Sequence, residues 1–156
     1  MKSVYRVLAY LVAAEVVVQA MAMVYAIAGL GKWVDSGGVF DKSVMESGQS
    51  AFPEAIGLLI HGINGMMIIP LIALLLLISS FFAKIPGGVK WAGLVLLLVV
   101  VQVNLGLFGH AVPAVGALHG LNALLLFSAA LYTARRRRVV APSPAVEAEA
   151  PATTPA

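Results

Sequence analysis

Four apolar runs, each long enough to cross a bilayer, restrict what this chain can fold into. They cover roughly Val4–Gly31, Pro53–Ser80, Lys90–Gly109 and Pro113–Ala134. A spanning helix needs about 20 mostly apolar residues, and in hydrocarbon each backbone N–H and C=O must be satisfied inside its own segment. The expected fold class is therefore all-α, an integral membrane four-helix bundle with the lipid bilayer as its main partner. Composition agrees: 61% of the 156 residues are hydrophobic and only 11% are charged. The first run resembles a signal peptide in having Lys2, Arg6 and "AMA" at 20–22. It is too long for an h-region and holds Glu15, so it reads as an uncleaved span.

Basic residues set the expected orientation, since loops rich in Lys and Arg stay in the cytoplasm. Lys2, Arg6, Lys84, Lys90 and Arg135 to Arg138 fall on one side, with only Lys32 and Lys42 on the other. The sequence thus predicts a multi-pass protein of the cell membrane with both termini cytoplasmic. "RRRR" at 135–138 reads as the flank of a last span, so no nucleic-acid partner is expected. The transmembrane domain is taken as residues 1–138. Residues 139–156, rich in Ala and Pro, are expected to form a disordered cytoplasmic tail. The long first loop reads as a surface segment with room for a short helix. Trp33 and Trp91 stand at opposite interfaces, as belt anchors do.

Two polar patches interrupt the apolar runs in the same order. "VVVQ" occurs at 16–19 and at 99–102, and "HGINGM" at 61–66 is matched by "HGLNAL" at 119–124. Each half reads as a helix bearing VVVQ, a loop, then a helix bearing His-Gly-(Ile/Leu)-Asn-(Gly/Ala), which predicts two similar hairpins from an internal repeat. His61 follows Pro53 and His119 follows Pro113 at similar spacing. At about 1.5 Å per residue, both imidazoles lie roughly 9–12 Å below their helix starts.

Three readings of the paired histidines stay open. They are axial ligands of a haem b, with Asn64, Gly65, Asn122 and Ala123 on the same helix faces, the small residues leaving room for a flat macrocycle. Alternatively, the motif packs helices in a non-enzymatic subunit or assembly factor, through close glycine contacts and His and Asn hydrogen bonds. Alternatively again, the histidines join Glu15, Gln19 and Gln102 in the polar network of a small proton or ion carrier. A carboxyl in hydrocarbon either keeps its proton or finds a partner, and Gln19, one turn from Glu15, is within its reach. For Gln102 and Asn104 interhelical bonding is expected, for His110 a solvated interfacial site, and at Pro70 a kink. With no cysteine, thiol nucleophiles, zinc-thiolate sites and iron–sulfur clusters are excluded. No catalytic residue is assigned; an activity, if present, would be that of a membrane oxidoreductase.

Four spans, an extended first outer loop and histidines near the outer ends of the second and fourth helices resemble half of a haem A synthase. The likeness covers roughly residues 4–134. Members of that family have eight spans in two such halves, each with a histidine pair for haem, so the resemblance implies that His61 and His119 match haem-ligand positions. It also implies electron transfer or haem handling, with respiratory or haem-handling membrane proteins as partners. Where the family carries a catalytic glutamate, one turn before the first histidine, this chain has Gly57 and Leu58, with Glu54 two turns back. The extracytoplasmic cysteines of many members are missing too, so the resemblance implies a haem-binding scaffold more than haem A synthesis. The chain also resembles small four-helix actinobacterial membrane proteins ending in a segment like "LHGLNALLLF…ARRR".

Overall fold

The computed structural model describes residues 1–136; Arg137, Arg138 and the expected tail lie outside the described residues. The fold is all-α. Helix α1 (Lys2–Asp35) is followed by a short α2 (Lys42–Glu46) in the first loop, then α3 (Ile56–Ile63), α4 (Ile69–Ala83), α5 (Gly88–Gly109) and α6 (Pro113–Arg135). A 3₁₀ turn, Pro53–Ala55, leads into α3, and a π turn, Asn64–Ile68, joins α3 to α4, making one span from Pro53 to Ala83. The four spans are long and apolar enough to cross a membrane. They form an up-and-down bundle in which α1 packs on α3, α4 and α6, and α5 packs on α4 and α6.

The end of the bundle that carries the chain termini is packed solid. Tyr5, Ala9, Val12, Ala13, Ala73, Leu76, Ala92, Val95, Leu126 and Ala130 are buried there in one cluster. Lipid tails are as apolar as leucine, so what draws such helices together is close packing, and small side chains permit it. The bulky residues point outward instead: Leu71, Phe81, Leu97 and Leu121 are all exposed on the bundle surface. The Tyr5 hydroxyl donates to Gly88 O at 3.1 Å. Arg136 donates to Pro86 O at 2.8 Å, with its guanidinium 5.6 Å from the Trp91 ring and 5.5 Å from that of Tyr132. These contacts tie the α4–α5 turn to the first turns of α1 and to the residue that follows α6.

At the opposite end, Trp33 stacks on Phe52 with ring centroids 5.7 Å apart. Glu54, the distant candidate for an acid near His61, pairs with Lys32 at 3.8 Å and packs against Gly29. It therefore belongs to the α1 contact. The kink expected at Pro70 takes the form of the π turn before it. A prolyl ring strikes the carbonyl four residues back and offers it no N–H; that carbonyl belongs to Met66, inside the widened turn.

Gly57 permits a close approach of the first two spans, because a Cβ there would strike the Ala22 carbonyl oxygen and Ala26. Gly57→Ala should therefore lower the unfolding free energy in detergent by about 1–3 kcal/mol. At Gly93 an added methyl meets nothing within 4 Å, so Gly93→Ala should be neutral or stabilising by less than about 1 kcal/mol. Thermal melts followed by circular dichroism compare the two.

In the first loop the exposed Asp41 carboxylate accepts from Ser43 Oγ at 2.6 Å and Val44 N–H at 3.1 Å, capping α2. The Ser43 bond first, then the Val44 bond, hold its pKa below the ordinary carboxylate value. A depressed pKa stabilises the cap above that ordinary value and loses the contribution as pH falls through the lowered one. Acidification through this window should move the Val44 amide resonance, and Asp41→Asn should abolish the movement.

Candidate functional site

The loop end of the bundle is hollow. A cavity of about 620 Å³ is lined from all four spans, by Gln19 and Met23, by His61 and Gly65, by Gln102 and Gly106, and by His119, Ala123 and Phe127 among others. Its size is that of small-molecule and cofactor sites, about 300–1,000 Å³. Apart from His110 at its edge, the polar side chains lining it are the two glutamines and the two histidines. His61 and His119 face each other within it, with ring centroids 6.1 Å apart and planes inclined by 55°.

Each histidine is held by the glutamine of the neighbouring span. In the α5–α6 hairpin, Gln102 Nε2 donates to His119 O at 3.0 Å, and the ring returns a bond from Nδ1–H to Gln102 O at 3.0 Å. In the first two spans, Gln19 Nε2 donates to His61 O at 3.1 Å and His61 Nδ1–H to Gln19 O at 3.3 Å. A carbonyl can only accept, so both rings carry their proton on Nδ1 and turn a lone pair outward on Nε2. Backbone carbonyls fix metal-ligating imidazoles in the same way.

The asparagines complete the two clusters differently. Asn122 Nδ2 donates to Leu98 O at 3.0 Å and to Gln102 Oε1 at 2.6 Å. Gln102 Nε2 also lies 3.1 Å from His119 Nε2, donating to its lone pair. Asn64 Nδ2 donates instead to Glu15 Oε2 at 2.8 Å. Gln19 Oε1 and Asn64 Oδ1 are consequently buried without a partner among the described residues.

Several expectations change here. Glu15 and Gln19 do not pair with each other: each bonds a group on the facing helix, Glu15 the Asn64 amide and Gln19 the His61 carbonyl. Gln102 has the interhelical partners its position called for. Asn104, by contrast, donates to Val100 O of its own helix at 2.8 Å from an exposed position, with no interhelical bond. Gly65 lies beside the Gln19 amide, where a Cβ would come to 3.4 Å of Nε2, so part of the room it leaves is taken by that side chain. His110 is exposed, at the cavity's edge. Glu15, Gln19 and Gln102 are not joined in one continuous hydrogen-bonded chain among the described residues.

Gly106 was not singled out from sequence, yet a Cβ there would come within 3.1 Å of the His119 ring. Its place four residues after Gln102, on the same helix face, is the signal that marks it. Met23 holds the matching place after Gln19 and also lines the cavity.

No cluster of three or more potential metal-ligating side chains occurs among the described residues. No family model, no curated protein and no solved structure matches this chain.

A double-mutant cycle on Glu15→Leu and Asn64→Leu should give a coupling of about 0.6–1.7 kcal/mol in detergent unfolding, the range of single bonds between membrane helices. The Gln102→Leu and Asn122→Leu cycle should give a similar value. Strict additivity in either would contradict the bonds described.

Proposed function

We propose that the cavity binds a b-type haem axially between His61 and His119, in a cell-membrane protein whose termini are both cytoplasmic. The facing imidazole pair carries this reading. Metal–imidazole bonds of about 2 Å on opposite sides of one ion need ring centroids roughly 6 Å apart, and the observed separation is 6.1 Å. The Nδ1–H bonds to Gln19 O and Gln102 O leave His61 Nε2 as a free donor, and His119 Nε2 becomes one when Gln102 Nε2 releases it. The donor set fits haem, which needs only two axial nitrogens from the protein.

Gly65, Gly106 and Ala123 keep side-chain bulk away from the space beside the rings. Met23, Met66 and Phe127 present an apolar wall and limit water there. A haem in this place supplies one-electron chemistry, so electron transfer or haem handling beside respiratory or haem-handling membrane partners is the function inferred. The matching bonds around His61 and His119 also support descent from a duplicated hairpin, similar to half of a haem A synthase. The excess of Lys and Arg at the termini end supports the cytoplasmic orientation.

A second reading has its own observation. Gln102 already satisfies the carbonyl and both ring nitrogens of His119, as a motif that only packs helices would. Absorption spectra separate the two. Oxidised and dithionite-reduced protein, purified in detergent after expression with added haem, should give a Soret band and sharp reduced α-bands. His61→Ala and His119→Ala should each abolish the bis-histidine spectrum. A featureless spectrum would leave the packing motif and end the haem reading.

A further inference from the structure

The two histidine clusters share their glutamine, histidine and asparagine, and among the residues bonded to these they differ in polarity at one place. Glu15 stands four residues before Gln19, where Leu98 stands four before Gln102. Beside Leu98, the bond from Asn122 to Gln102 Oε1 turns the other end of that amide toward the ring, and Gln102 Nε2 covers His119 Nε2. Beside Glu15, the carboxyl accepts one of the two amide hydrogens of Asn64 and turns that amide toward itself. The bond to the glutamine oxygen, which Asn122 makes with its second amide hydrogen, is not made here. Gln19 Oε1 is left without a donor, and no hydrogen bond among the described residues reaches His61 Nε2. The π turn begins at Asn64 itself, and α6 continues through Asn122 with no such turn.

We infer that Glu15 is a positioning residue: by drawing Asn64 away from Gln19 it keeps His61 Nε2 open to the cavity. His61 is then the entry donor for a metal centre, whereas His119 binds only after Gln102 releases it. The entry-donor role rests on the haem reading; the openness of His61 does not. Glu15 itself lies in a separate groove with Leu59, Ile60 and Asn64, outside the cavity lining. It acts on the site through Asn64 and Gln19.

Diethyl pyrocarbonate, which modifies an unprotonated imidazole nitrogen, tests this on the full chain in detergent without haem. With the rates read by peptide mass mapping, His61 should react roughly fivefold faster than His119, the factor that one neutral hydrogen bond commands. Glu15→Leu should slow His61 to the rate of His119, because Asn64 is then free to hold Gln19 as Asn122 holds Gln102. Glu15→Gln, whose amide oxygen still accepts from Asn64, should keep His61 fast. Gln102→Leu should raise His119 to the rate of His61; if Glu15→Leu does not fold, Leu98→Glu decides, since a carboxyl beside Asn122 should draw it from Gln102 and raise His119 likewise. Equal rates in the unaltered protein, or a His61 rate indifferent to Glu15→Leu, would overturn the inference.

Haemin titration then tests the entry-donor role. His61→Ala should weaken binding at least about tenfold more than His119→Ala, and equal losses would refute that role. No Soret change in any variant, with the reactivity order intact, would sink the haem reading and still support the positioning role of Glu15.

Discussion

The structure depends on a single constraint: an amide or imidazole turned into the bundle interior within hydrocarbon needs a hydrogen-bond partner there. An amide or imidazole left unpaired there costs kilocalories, and no water competes for it. The clamp between glutamine and histidine meets this need in both directions. The glutamine amide donates to the histidine carbonyl, and the histidine ring donates to the glutamine carbonyl. Two bonds running opposite ways between the same pair of residues fix the vertical register of each hairpin. They also aim each imidazole across the bundle.

One half of the bundle is packed and the other is hollow. In the termini half, alanines let the helices close until Tyr5, Val12 and Leu76 fill the remaining space. In the loop half, Gly57 still lets the first two spans touch, while Gly65 and Gly106 admit the Gln19 amide and the His119 ring, and Ala123 lines the cavity beside them. The two rings, 6.1 Å apart, stand across that cavity.

The two halves resemble each other without being equal. Glu15 stands where the other half has an apolar residue, accepts from Asn64, and lies beside a Gln19 Oε1 that has no partner among the described residues, whereas Gln102 Oε1 accepts from Asn122. The π turn at Asn64–Ile68, followed by Pro70, widens the same helix. Both departures fall on the His61 side.

The sequence alone determined the class of the protein, because the lengths of four apolar runs leave hydrocarbon few other solutions. It also marked the residues that converge: VVVQ and HG(I/L)N could be paired, and His61 and His119 set at one depth, by counting along helices whose rise is regular. Bonding across helices was not legible in this way. Spacing placed Gln19 within reach of Glu15, but it carries no information about what the opposite helix offers at that height, and Asn64 proved the nearer partner. The same blindness hid the role of Gly106 and the contact of Glu54 with Lys32. Only the tertiary structure decided that one imidazole is covered and the other open, since that depends on which way a single amide turns.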